Sequence, residues 1–201
     1  MSAYFSIQEN SMKNTSFVNR ELICTTFIVL AVSGLAVWAS GNKTVPKAEF
    51  AKSTVDFGIV VSDLEKSLHF YKNALGLTER DAFQVTAEMG ADSGLSDNLP
   101  FKVYPLVLEN DSTATNVKLM QFKGTPAKKT DNSFIHSSLG VSYLTIYVKD
   151  TTAALERAKA YGVEPIAKGP LALPEGFPKG IYLTLLRDPD GNLIELVGPK
   201  K

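Results

Sequence analysis

Val55-Asp56-Phe57-Gly58-Ile59-Val60-Val61-Ser62-Asp63 leads into an amphipathic run that ends Asn73-Ala74-Leu75-Gly76-Leu77. Ser142-Tyr143-Leu144-Thr145-Ile146-Tyr147-Val148-Lys149-Asp150 leads into another, ending Ala160-Tyr161-Gly162-Val163. Each copy reads as a strand, a tight turn, a helix and a glycine stop. A repeat of this kind predicts two like units about a pseudo-twofold axis. A cleft beside such units is a natural place for a small-molecule site.

Working outward, Val55 to Val61 alternates and is rich in β-branched residues, which predicts a strand. Ser62 with Glu65 reads as a capping box. Leu64, Leu68, Tyr71 and Leu75 then share one helical face, and Gly76 supplies the left-handed stop. Strands are expected over residues 78–86, 102–108 and 116–123, with a polar loop over 89–100. A connector covers 124–140. In the second unit Asp150 caps a helix with Ala154, Leu155, Ala158 and Tyr161 inward. A short strand is expected over 163–167. Residues 168–180 hold three prolines and three glycines and read as a loop or flap. Strands over 181–187 and 192–197 are joined by the turn Asp188-Pro189-Asp190-Gly191. Each unit is therefore βαβββ. The class is α+β: two tandem βαβββ modules, 54–123 and 141–199, forming curled mixed sheets around a cleft within a domain spanning 54–199.

Composition narrows the function. The chain has 201 residues, 44% apolar and 21% charged, with 21 basic and 21 acidic side chains. This is ordinary for a globular protein. Lys13, Arg20, Glu9 and Glu21 are the only charges before residue 41, so the remainder is balanced too. No basic face suggests nucleic acid. Leu22 to Ser40 runs 19 residues without a charge, after Lys13 and Arg20. Residues 1–40 thus resemble an export signal, with small residues around Val37-Trp38-Ala39 at a cleavage site. The same run is long enough to stay as a membrane anchor. Residues 41–53 form a linker. The expected location is outside the cytoplasm, periplasmic or secreted, or tethered to the membrane through residues 22–40. Cys24 is the sole cysteine and sits inside that run, so the folded part has no thiol for a disulfide or a nucleophile.

The chain resembles the vicinal oxygen chelate superfamily, which includes glyoxalase I, bleomycin and fosfomycin resistance proteins, extradiol dioxygenases and methylmalonyl-CoA epimerase. The resemblance is carried by IVVSDLEKSLHFYKNALGL at 59–77, VKLMQFKG at 117–124, LTIYVKDTTAALERAKAYGV at 144–163 and LRDPDGNLIELVGP at 186–199. It implies a divalent metal held by His, Glu or Gln from four strands, acting as a Lewis acid on substrate oxygens. The equivalent positions are Asp56, seven residues before a capping Asp; Lys118; Tyr143; and Glu195. Alternation turns Asp56, Gly58 and Val60 toward the cleft and Phe57, Ile59 and Val61 toward the helix.

These four make a poor metal set. A lysine ammonium at a ligand position repels a cation by several kcal/mol in a partly desolvated cleft. His69 and His136 are expected at the surface and in the connector. The lack of a two-histidine, one-carboxylate set argues against extradiol cleavage. An ion-pair reading fits the same residues, with Lys118 between Asp56 and Glu195 in the ion's place. Tyr143, Tyr147 and Leu193, with Thr145, are wall packing or a stacking surface for a flat ligand. Glu195 is either a strand residue or a catalytic group, and Asp56 either structural or ligand-binding. Ser137, Ser138 and Thr152 have no base nearby in sequence, which leaves serine catalysis unsupported.

Three functions follow. The first is a small-molecule binder with no cofactor. The second is a metal-dependent lyase, isomerase or dioxygenase of the glyoxalase type, with Glu195 as ligand or base and a divalent ion as cofactor. The third is an interaction module without catalysis, for which a homodimer is one form. The small-molecule ligand is the expected partner, and the membrane is met only through the N-terminal segment.

Overall fold

The computed structural model describes residues 48–124 and 127–201. The leader at 1–40, with Cys24, and residues 41–47 of the linker lie outside the described residues. No helix among the described residues is long and apolar enough to cross a membrane.

The first module begins with β1 (Phe57–Val60), α1 (Leu64–His69) and a π-helical turn (Phe70–Ala74). It continues with β2 (Thr78–Glu79), β3 (Phe83–Val85), α2 (Ala87–Asp92), β4 (Phe101–Val107) and β5 (Asn116–Met120). The second has β6 (Tyr143–Tyr147), α3 (Thr151–Ala160), β7 (Leu171–Ala172), β8 (Ile181–Arg187) and β9 (Leu193–Pro199). The sheets run β1-β5-β4-β2, with β3 also on β4, and β6-β9-β8-β7. In both, the first strand lies parallel to the last and the others are antiparallel. These are two mixed sheets, neither closed into a barrel, and the α+β class with doubled βαβββ units holds.

Local expectations needed several corrections. The helix cap is Asp63, whose side chain accepts from the Lys66 N–H at 3.1 Å; Ser62 does not cap. Ser62 instead donates its backbone N–H to Asp190 at 3.0 Å, so its backbone serves the other module. The 89–100 loop is preceded and partly replaced by α2, capped by Thr86 Oγ1 on the Met89 N–H. The 78–86 strand is broken into β2 and β3. No strand forms over 163–167, where Pro165 has no N–H to give; Val163 donates back to the Ala158 carbonyl at the helix end, and Ile166 donates to the Leu185 carbonyl. Pairing resumes at β7, inside the expected loop. Tyr161 is not inward. The α3 helix ends before it, and its ring stands half-exposed, edge-on to His69 at 5.4 Å.

The core lies between the sheets' helix-covered faces and is shared. Leu75, Leu77, Leu106 and Leu119 of the first module join Ile146, Leu155, Leu186 and Ile194 of the second in one apolar cluster. Burial of this kind supplies the main driving force for folding. Polar ties then fix how the halves meet. Asp188, only 4% exposed, accepts from the Tyr71 hydroxyl at 3.0 Å. It also accepts from the N–H groups of Asp190 and Asn192 and from Asn192 Nδ2. Burial, then the Asp188 carboxylate, push the Tyr71 hydroxyl well above its usual range, so it remains a donor. Arg157 of α3 donates to the carbonyls of Ala74 and Leu75 at 3.2 and 2.9 Å. These are the carbonyls left open at the end of the π-helical turn. Gly76 turns away there at φ +83°, and a Cβ on it would meet the Arg157 guanidinium at 3.3 Å.

Tyr71→Phe removes one donor from a buried carboxylate and keeps the ring's packing. A loss of about 1.5–3 kcal/mol is expected, as for hydrogen bonds to charged groups. Urea unfolding followed by circular dichroism measures it. A loss below about 0.5 kcal/mol would mean the contact contributes little.

Candidate functional site

Each sheet has one face covered by helices and one without. On the first, Asp56, Gly58 and Val60 and their neighbours Asn116, Lys118 and Met120 take the helix-free face, given the register Gly58↔Lys118 and Val60↔Met120. On the second, Tyr143, Thr145 and Tyr147 face that way, beside Leu193, Glu195 and Val197.

In the first sheet Lys118 Nζ lies 2.9 Å from Asp56 Oδ2, diagonally across the parallel pair. Both side chains are about one-third open to solvent. Asp56 Oδ1 accepts from Asn116 twice, from its backbone N–H and its side-chain amide, each at 2.9 Å. The Lys118 ammonium, with Asn116, holds the Asp56 carboxyl far below the usual carboxylate range. A hollow of about 630 Å³ opens over this pair, lined also by Arg80, Asp81, Phe83 and Pro105. Arg80 donates to the Asp111 carbonyl, and Glu79 pairs with Lys72 at 2.6 Å.

In the second sheet the Thr145 hydroxyl donates to Glu195 Oε2 at 2.6 Å. Tyr143 is half-exposed and Tyr147 is 80% exposed. Leu193 is only 4% exposed. Its cross-strand neighbour Arg187 holds the carbonyls of Asn132, Ser133 and Gly191, which draws the connector onto this end of the sheet.

Of the four family-equivalent positions only two meet each other, Glu195 is held by a residue outside the set, and Tyr143 has no polar contact with the other three. Asp56 meets Lys118. Glu195 meets Thr145, and no ion pair among the described residues joins it to Lys118. The arrangement with Lys118 between both acids is replaced by a pair confined to the first module. By register, Lys118 and Glu195 are counterparts, each opposite the second residue of its helix-free set, Gly58 or Thr145. The Thr145–Glu195 bond was missed in the sequence because nothing in it separates a wall threonine from a carboxylate partner. His69 and His136 are both exposed, as expected.

Among the described residues no group of three or more His, Cys, Asp or Glu stands close enough to hold an ion. Both oxygens of Asp56 are already engaged, one of them by an ammonium. The donor set does not fit the divalent ion implied by the resemblance. Another hollow, of about 720 Å³, lies elsewhere, between α1, Tyr161, Val163 and Pro189. It contains none of the four positions and is mostly apolar, so size alone does not make it the reactive site.

Lys118→Met should return the Asp56 carboxyl toward its ordinary range, with the Asn116 bonds keeping it somewhat below. Because its folded value is depressed, Asp56 adds stability above about pH 4 and loses it as pH falls further. Carboxyl-carbon NMR titration reads the change, and an unaltered Asp56 midpoint would refute the pairing.

A family model described as the Glyoxalase/Bleomycin resistance protein/Dioxygenase superfamily matches residues 53–196. Among solved structures, a glyoxalase family protein from Bacillus cereus is 19% identical at a TM-score of 0.61, covering 78% of this chain and 99% of its own. The trypanothione-dependent glyoxalase I of Leishmania major is also 19% identical, at a TM-score of 0.50, covering 75% and 87%. Identities this low carry the fold alone. No curated protein matches the chain. With the family model spanning well over half of the sequence, this chain belongs to the glyoxalase, bleomycin resistance and dioxygenase superfamily.

Proposed function

We propose that this protein binds a small organic molecule on the helix-free face of its first sheet, without a metal ion. Lys118 takes the electrostatic place of the ion. The observation that carries this reading is the 2.9 Å pair between Lys118 and Asp56, at two positions where the superfamily's pattern has ligands. An ammonium has three donors. Asp56 engages one, leaving the others for a ligand oxygen. Such a site orients and polarises an oxygen, yet it supplies one hydrogen-bonding charge, already partly neutralised, where a metal would supply two positive charges. Binding is the outcome this chemistry favours over Lewis-acid turnover. The charge-free leader supports a location outside the cytoplasm, exported or membrane-tethered.

Glu195 favours a second reading. Its carboxylate is half-buried, faces away from the helices and is held by Thr145 at 2.6 Å, which suits a general base. Under that reading the protein is a glyoxalase-type lyase or isomerase, and Glu195→Gln abolishes turnover.

Isothermal titration with a panel of small aromatic and amphiphilic compounds tests the first reading. Binding should be unchanged by EDTA and weakened at least tenfold by Lys118→Met, the scale of one hydrogen bond to a charged group. Elemental analysis showing one tightly held divalent ion per chain would overturn it.

A further inference from the structure

The strand expected over 78–86 is interrupted at one point, and the interruption decides what faces the Lys118 hollow. Glu79 lies opposite Leu106, and Arg80 then donates its backbone N–H to the Pro105 carbonyl at 2.9 Å, so the β2 pairing runs on through Arg80. Pairing resumes with Phe83 opposite Val103. Asp81 and Ala82 therefore stand against Tyr104 alone, which is a β-bulge. In a regular strand Arg80 and Phe83 would fall on opposite faces. The extra residue brings both to the helix-free face, Arg80 beside Pro105 and Lys118, Phe83 beside Val103 and Met120.

Lys118, Pro105 and Arg80 thus form one row across three strands. The backbones of the outer two are about 10 Å apart, and a buried proline ring lies between their long side chains. Phe83 is 48% exposed and stands two residues further along β4, about 7 Å from the row. All four line the same hollow.

The charges in this hollow select the ligand's head group. Asp56 is paired with Lys118 and Glu79 with Lys72. Arg80 has no carboxylate partner among the described residues and uses one of its five N–H donors on the Asp111 carbonyl. A carboxylate can accept from this guanidinium and from the Lys118 donors that Asp56 leaves over. Asp81 also lines the hollow and has no ion-pair partner among the described residues, so a second negative charge on the ligand meets repulsion.

We infer that this hollow takes an aryl monocarboxylate, with its carboxylate over Pro105 between Lys118 and Arg80 and its ring against Phe83. The inference rests on the Lys118 site proposed above and adds the class of ligand. The bulge is the device that makes it, because it places the second cation and the aromatic surface on the face that Lys118 already occupies.

The test is isothermal titration of the full chain with phenylacetate, its neutral isostere phenylacetamide, acetate, and the dicarboxylate homophthalate. Phenylacetate should bind about tenfold or more tightly than phenylacetamide, the scale of a hydrogen bond between charged groups. Arg80→Met should bring phenylacetate down to the phenylacetamide level and leave phenylacetamide unchanged. Phe83→Ala, at an exposed position, should bring phenylacetate toward acetate. Asp81→Asn should strengthen homophthalate more than phenylacetate. Equal affinity for phenylacetate and phenylacetamide in the unaltered protein overturns the inference, as does tighter binding of homophthalate than of phenylacetate. Either result, with Lys118→Met still weakening binding, leaves the Lys118 site standing. Phenylacetate binding that Lys118→Met does not change overturns the two-cation clamp and the site together.

Discussion

Asp188 is the constraint on which the molecule's arrangement depends. A carboxylate that is 4% exposed must find its hydrogen bonds inside the protein. Three come from its own turn, which closes the β8–β9 hairpin. The fourth comes from Tyr71 in the other module. The turn therefore does two tasks with one side chain. It sets the register of the last two strands, and it docks them on the helical segment of the first half. That contact is made beside the apolar cluster that both modules share. The orientation of the helix-free faces follows from the same docking.

The two helix-free faces began from one pattern and have diverged chemically. Register makes Lys118 the counterpart of Glu195 and Gly58 the counterpart of Thr145. The first module presents an ammonium compensated by a neighbouring acid, over a floor without a side chain. The second presents an acid held by a hydroxyl. An ammonium beside Asp56 already lowers the energy of that carboxylate, which removes the electrostatic demand a divalent ion would otherwise meet. The chemistry of the first face is then that of hydrogen-bond donation into a partly open hollow.

Much of this was legible in the sequence, for definite reasons. The doubled strand–helix pattern and the Asp188-Pro189-Asp190-Gly191 turn gave the architecture, because period and turn chemistry are local signals. The family resemblance placed Asp56 and Lys118 at two of the four ligand-equivalent positions, and alternation along the first strand turned Asp56 away from the helix. What escaped depends on contacts distant in the chain. Ser62 and Asp63 both suit a cap, and the choice followed from Asp190 claiming the Ser62 N–H. Helical periodicity places Tyr71 on the apolar face and carries no sign of the hydroxyl's partner, Asp188, 117 residues away. Leu193 shares a face with Glu195 yet is covered, since Arg187 draws the connector across it. The expected meeting of Lys118 with Glu195 required the two sheets to share one pocket, whereas Lys118 pairs with Asp56 and Glu195 with Thr145, each within its own sheet.

Arg157 completes the end of a helical segment that belongs to the other half, and Tyr71 returns the service at the hairpin. A peptide ending near residue 123 would leave the Ala74 and Leu75 carbonyls without their guanidinium. One starting near residue 141 would carry a charged acid in its interior with no phenol to meet it. What reads as a tandem copy is thus no longer divisible: inheritance, expression or engineering must treat the pair as a single unit.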